Sequence, residues 1–396
     1  MEYITAAEAA EKWGVAIRQV QRLSAAKRIP HTKKYGRLWL IPIDAEKPGD
    51  PRREELGSPE KFLLSDLADV VAATTLPMPR DNPDAILDIV GEERLRLHYE
   101  SELAYLRGDF ERTKNCFGKT DGDTVSKLRA SSIAIAAAIS TGDYPFYLEV
   151  ESFLKGVAET NTNNELSVFA ELCLSNAHVS AFALNMVPQW LKDGDFTALM
   201  PQAMPDAAYK RAKYFQFLGQ YESMLAVAET ALSLCASKSG ITFHDIYFRV
   251  VCVMACCALG RADEAKRRLL DALKIALPHG FITPFAESAT AFGGLLEQCL
   301  EQEYPQYYEA AIKQWDRTFT NWRAFHNRFT KDNITLILSL RDYQIAKLAV
   351  RGVPYKKIAE QFHISLGTLN NKMQVIYETL LISEKPRRQA LAKYIW

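Results

Sequence analysis

The chain has 396 residues, 48 basic and 48 acidic, and nearly half of its residues are apolar. This length allows about two to four domains with a sizeable core. No run approaches the ~20 apolar residues of a membrane helix, and no basic-then-apolar leader follows Met1-Glu2-Tyr3. The seven cysteines are odd in number and scattered through apolar surroundings, which fits reduced thiols rather than a disulfide framework. A cytoplasmic protein without membrane contact is expected.

A net charge of zero would argue against a polyanionic partner, but the distribution reverses that. Residues 1–53 carry 11 basic and 6 acidic side chains, and residues 331–396 carry 11 and 5. The middle holds 26 and 37. Two basic ends flanking an acidic centre point to polyanion contacts at the ends.

In residues 1–53, Thr5 is placed to cap a helix Ala6–Trp13, with Glu8 three residues on completing a capping box. Gly14 breaks that helix. A second runs from about Ile17 to Ala26, with Val20 and Leu23 inward and Arg18, Gln19, Gln21 and Arg22 outward. Alternation around Gly36, from Lys33 to Pro42, predicts a small β-hairpin. Helix, glycine turn, helix and basic hairpin is the order of a winged helix-turn-helix. Tyr3-Ile4-Thr5, Glu8-Ala9-Ala10, Trp13-Gly14-Val15, Arg28-Ile29-Pro30 and Lys33-Lys34-Tyr35-Gly36-Arg37 with Trp39-Leu40-Ile41-Pro42 resemble the MerR/excisionase-like modules. That resemblance implies that Arg18, Gln19 and Arg22 enter the DNA major groove while Lys33, Lys34 and Arg37 touch phosphate. Ala16 stands where a Ser or Thr cap is usual, and Lys27 where a helix-ending Gly is usual.

Lys47-Pro48-Gly49-Asp50-Pro51 through Ser58-Pro59 reads as linker by its Pro/Gly density, the proline-rich 77–83 is a second break, and residues 54–83 are expected to be a linker with a short helix. From 84 to 330 helix follows helix. A phrase recurs at Gly108-Asp109-Phe110, Gly142-Asp143-Tyr144, Gly194-Asp195-Phe196, Gly219-Gln220-Tyr221 and Gly260-Arg261-Ala262. In each, a glycine should end one helix and the aromatic or alanine should pack at the start of the next. The glycine spacings are 34, 52, 25 and 41 residues, of which only the first matches the ~34-residue TPR period. The stretch from Leu259 through Ala272-Leu273, Gly280-Phe281 and Pro284-Phe285 resembles the TPR-like repeats of MalT-like regulators. Such arrays present concave faces for peptides, proteins or small effectors; the alternative is a spacer or dimerisation body.

Residues 331–396 predict four short helices. Ile345, Leu348 and Ala349 share one face of the first, and Gly352 stops it. The second begins after Pro354, with Ile358, Ala359 and Phe362 inward. Ser365 caps the third, which carries Leu369, Met373, Ile376 and Leu380 inward to about Leu380. Leu338, Ser339, Arg341, Gly352, Lys356, Ile358-Ala359-Glu360, Ile364-Ser365, Thr368, Asn371, Ile376-Tyr377 and Leu380 resemble the LuxR/GerE-type DNA-binding domain without a gap. The resemblance implies a DNA face of Lys356, Lys357, Ser365, Thr368, Asn370, Asn371 and Lys372. Asparagine can read adenine bidentately, while threonine and lysine favour phosphate. Asn370, Lys372 and Asp342 depart from the usual residues of that family. Gln389, Leu391 and Tyr394 are expected at a homodimer contact.

Catalytic, metal and cofactor signals are missing. Gly118-Lys119-Thr120 ends like a phosphate-binding loop, but Thr113 stands where the leading glycine is needed. Cys252, Cys256 and Cys257 lie in an apolar run without a nearby histidine, as a buried thiol-rich helix would. The expectation is a mainly α protein: a TPR-like solenoid between an N-terminal winged helix-turn-helix (1–53) and a C-terminal four-helix LuxR-type domain (331–396). The expected function is transcription regulation on double-stranded DNA as a homodimer, not an enzyme. The alternative is a TPR-type adaptor whose ends bind proteins.

Overall fold

The computed structural model describes residues 3–36, 38–45, 47–48, 67, 71, 76–160, 164–235, 240–331, 338–380, 382–383 and 385–392. They are mainly helical and fall into two compact units, Met1–Glu60 and Lys61–Trp396. Most of the expected linker, with its short helix, lies outside the described residues, as do Arg37 and Tyr394.

The first unit opens with β1 (Tyr3–Thr5) and α1 (Ala6–Trp13). The expected capping box is present: Glu8 N–H donates to Thr5 Oγ1 at 3.3 Å, and Thr5 N–H donates to Glu8 Oε2 at 2.7 Å. Gly14 ends α1 at φ +64°, where a β-carbon is disfavoured. Then follow α2 (Ile17–Ala25), β2 (Lys33–Tyr35) and β3 (Leu38–Pro42). The antiparallel sheet is ordered β1-β3-β2, pairing Ile4 with Ile41 and Lys34 with Trp39. Ala9, Ala10, Val20, Leu23, Ile29 and Ile41 form the core. The two sequence departures have visible consequences: Ala16 gives α2 no side-chain cap, and Lys27 sits at φ +55°.

The second unit begins with β4 (Met78–Pro79), a 3₁₀ turn at Pro83–Ala85, and α3 (Ile86–Ile89). The proline-rich 77–83 is therefore built into the fold rather than lying outside it. Met78 is fully buried, and β4 pairs with β5 (Gly240–Ile241) far along the chain. Between them run α4 (Glu93–Leu106), α5 (Phe110–Gly118), α6 (Thr124–Thr141), α7 (Tyr144–Thr160), α8 (Asn164–Ser180), α9 (Gln189–Asp193), α10 (Met204–Leu218) and α11 (Tyr221–Cys235). After β5 come α12 (Phe243–Ala258), α13 (Ala262–Ala276), α14 (Thr283–Ala286), α15 (Ala289–Phe292), α16 (Leu295–Glu303) and the 26-residue α17 (Pro305–Thr330).

Four glycine phrases behave as read, because Phe110, Tyr144, Tyr221 and Ala262 each open the next helix. The fifth does not: Gly194 ends the short α9, and Phe196 enters a turn. At Gly142 a second constraint applies, since a β-carbon there would fall 2.7 Å from Asn321 Oδ1. Asn321 donates to Ser140 O at 2.8 Å, and Trp322 donates to Ser180 O at 2.7 Å. These bonds tie α17 to the C-terminal ends of α6 and α8. The helix also joins two buried clusters, contributing Ala311 to one and Phe325 to the other. Cys252, Cys256 and Cys257 are buried on α12, and burial pushes the Cys252 and Cys257 thiols up to about 12. Gly118 is the last residue of α5 and Lys119 its C-cap, a carbonyl-rich helix end rather than a phosphate cradle.

The chain closes with α18 (Leu340–Val350), α19 (Tyr355–Gln361), α20 (Leu366–Thr379) and α21 (Arg387–Leu391). Ile345, Ala349, Ile358, Leu369, Met373 and Ile376 give these helices a core of their own. Leu391, expected at a dimer surface, is fully buried in that core; Gln389 is exposed. An apolar side chain at the end of α21 completes the packing on α18 instead of facing a second subunit. Residues 84–330 and 338–392 belong to one compact unit and touch directly. Lys347 Nζ lies 3.4 Å from the Phe217 ring centroid, and the Arg351 guanidinium donates to Phe217 O.

Candidate nucleic-acid interface

The interface residues at the C-terminal end are set by local sequence. Ser365 Oγ accepts from Thr368 N–H at 3.0 Å, capping α20 as expected. Ser365 Oγ also lies 2.8 Å from Thr368 Oγ1. With Leu369, Met373 and Ile376 inward, helical spacing turns Ser365, Thr368, Asn370 and Asn371 to the exposed side. Phe362 and Ile364 fill the turn between α19 and α20, and His363 crosses it at φ +51°. Lys356 and Lys357 are exposed on α19 and make no ion pair among the described residues.

Lys372 differs from its neighbours. It is half-buried, and its ammonium sits 2.8 Å from Asp342 Oδ1 on α18. The position that departs from the family pattern at Lys372 is thus matched by the departure at Asp342. Asp342 also accepts from Ser339 Oγ at 2.5 Å.

Several other cations of this segment are engaged internally. Arg341 donates to Phe362 O at 2.8 Å, and Arg387 donates to Gln374 Oε1 at 2.7 Å. Arg388 donates to Val353 O at 2.5 Å and to Ala349 O, and its guanidinium lies over Tyr355. Burial, with Arg351 beside it, lowers Lys347 to about 7. The segment's charge excess therefore overstates what it can offer a phosphate backbone. The sequence reading missed Lys347, Arg351 and Arg388, whose partners are carbonyls and rings that no local pattern reveals.

In the first unit, Arg18, Gln19 and Arg22 are exposed on one side of α2, opposite Val20 and Leu23. The Arg18 and Arg22 side chains make no ion pair or hydrogen bond among the described residues. Lys33 and Lys34 are exposed on β2, with Nζ atoms 4.7 Å from the Tyr3 ring and 5.3 Å from the Trp39 ring. Cation–π contacts at exposed sites are worth about 0.5–1 kcal/mol, too little to prevent either lysine from turning to an anion. Tyr35, at the hairpin, is 79% exposed.

No helix among the described residues is long and apolar enough to cross a membrane. No protein-family model matches the chain.

Proposed function

We propose that the chain is a cytoplasmic, sequence-specific DNA-binding transcription regulator acting as a homodimer. On this reading α19 and α20 form a helix-turn-helix of LuxR type, with α20 in the major groove. The N-terminal unit is a winged helix-turn-helix, and the TPR-like middle reads an effector. The observation that carries it is the two-sided build of α19–α20. An apolar seam of Ile358, Phe362, Leu369, Met373 and Ile376 faces inward, while Lys356, Lys357, Asn370 and Asn371 stand exposed and uncommitted and Thr368, exposed beside them, bonds only to the cap Ser365. Phosphate contacts by such lysines position a helix, and asparagines at its outer face can read base edges.

A second reading, a protein-binding adaptor, is favoured by Leu366 and Val375, which are 47% and 57% exposed on the same helix. Duplex selection separates the two. The full chain should enrich a duplex from a random library and bind it with a Kd of roughly 10⁻⁸–10⁻¹¹ M at physiological salt. Asn371→Ala should weaken that binding by about 1–3 kcal/mol while barely changing stability. Lys372→Ala should also break the Asp342 pair, a loss of at most about 1 kcal/mol for partly exposed partners. Failure to enrich any duplex, with no salt-dependent binding, would overturn the regulator reading and leave the adaptor.

A further inference from the structure

The described helices enclose a cavity of about 150 Å³, a size that accommodates a benzene-sized body. Its walls come from α4, α6, α8, α10, α12, α15 and α17, with Glu287 from the turn before α15 and Gln344 from α18. Large rings line it, among them Tyr209, Phe243, Tyr247, Trp315, Phe319 and Trp322. We propose that this cavity is a binding site for a small carboxylate with an aromatic body, its carboxylate held by Lys213 and its ring packed among these side chains.

The polar inventory of the walls selects the class. Asp206 is neutralised in place, 2.5 Å from Lys210 Nζ and 3.8 Å from His244 Nε2. Glu287 accepts from Tyr105 OH at 2.8 Å. Lys213 has no hydrogen bond or ion pair among the described residues. Thr318 Oγ1 is buried without a hydrogen-bond partner, and Tyr247 OH, buried as well, interacts with Glu287. Native interiors leave few such groups unsatisfied. What the cavity holds in surplus is therefore two donors: the Lys213 ammonium and the Thr318 hydroxyl.

A carboxylate is the complementary group, since it only accepts hydrogen bonds and can take several at once. Charge supports the same choice. Burial lowers Lys213 to about 8, opposed by Glu287, and burial raises Glu287. A ligand carboxylate at Lys213 supplies a counter-charge for the buried ammonium. These rings then cover the apolar body, as pockets for small molecules commonly do. An amine would instead set a second cation beside Lys213, with Glu287 already accepting from Tyr105 and Gln216 Oε1 the buried acceptor left without a partner.

This inference deepens the effector-sensing part of the proposed function and rests on it. Its test uses no DNA, so failed duplex selection and failed ligand binding are separate results. Phenylacetate, phenylacetamide and phenethylamine share one body and differ in charge. Each is titrated into the full chain, followed by calorimetry and by the fluorescence of Trp315 and Trp322. Phenylacetate should bind at least tenfold more tightly than the other two. Lys213→Met should abolish that preference, and Lys213→Arg should retain it. Ligand-detected NMR on both variants reports binding directly, and circular dichroism checks that each has folded. Preference for the amine, equal affinities, no saturable binding of the three, or a preference that survives in Lys213→Met would overturn the proposal.

Discussion

The two basic ends carry similar charge excess but dispose of it differently. In the N-terminal unit, the Arg18 and Arg22 side chains stand free among the described residues, and Lys33 and Lys34 rest only on half-buried rings. In the C-terminal helices, Arg341, Arg351, Arg387 and Arg388 bond to main-chain or side-chain oxygens, and Lys372 pairs with Asp342. Equal net charge therefore does not mean equal affinity for a polyanion. A cation already satisfied inside the fold contributes to stability, and a free one contributes to binding.

The largest expected effect tests the N-terminal side of this comparison. If its free cations touch phosphate, a chain lacking residues 1–53 should bind the selected duplex more weakly by roughly 10²–10⁴, because tethering makes the second contact intramolecular. The slope of log K against log salt should fall by about 0.9 for every phosphate the shortened chain no longer neutralises. Equal slopes for the two chains in a salt titration would assign the N-terminal unit to protein contact.

A smaller effect separates binding cations from structural ones at the other end. Arg388→Ala removes charge-assisted bonds to Val353 O and Ala349 O, each of a kind worth ~1.5–3 kcal/mol. We expect a loss of about 2 kcal/mol, hence roughly 30-fold faster amide exchange in α18–α21. Lys356→Ala with Lys357→Ala should leave that exchange unchanged and lower the salt slope instead. Exchange that responds equally to both changes would erase the distinction between the two kinds of cation.

The same distinction explains what the sequence revealed. Caps and helix stops were legible because their partners lie three or four residues away, as in Thr5 with Glu8, Ser365 with Thr368, and Gly142 after α6. The inward faces of α2 and α20 were legible from 3.6-residue periodicity. Partners distant in sequence were not. Arg351 reaches an oxygen 134 residues earlier, Arg388 one 39 residues earlier, and Met78 pairs with Ile241. Leu391 was misplaced because an apolar residue near a terminus has the same local pattern whether it faces the core or a partner. The donors of the cavity were hidden for the same reason: Lys213, Tyr247 and Thr318 sit on three separate helices.

The finest contrast lies between the two candidate reading helices. In α20 the first turn is held by Ser365, whose Oγ accepts from Thr368 N–H at 3.0 Å. In α2 the equivalent place is Ala16, with extended backbone (φ −67°, ψ 142°) but no side-chain oxygen for the first turn, where Gln19 N–H donates to Ala16 O at 2.8 Å instead. Without a side-chain cap, α2 should fray from its N-terminal end more readily than α20 does. Ala16→Ser supplies the oxygen without altering Arg18, Gln19 or Arg22, and Ala16 is exposed, so the hydroxyl meets no steric obstacle from a packed core. The expected gain is about 1 kcal/mol, read as roughly fivefold slower exchange of the α2 amides in the full chain. If α2 enters DNA in a formed state, this pre-ordering should also tighten duplex binding slightly, since less order must be imposed on contact. Slower exchange with weaker binding would mean that α2 needs its loose first turn to engage its partner.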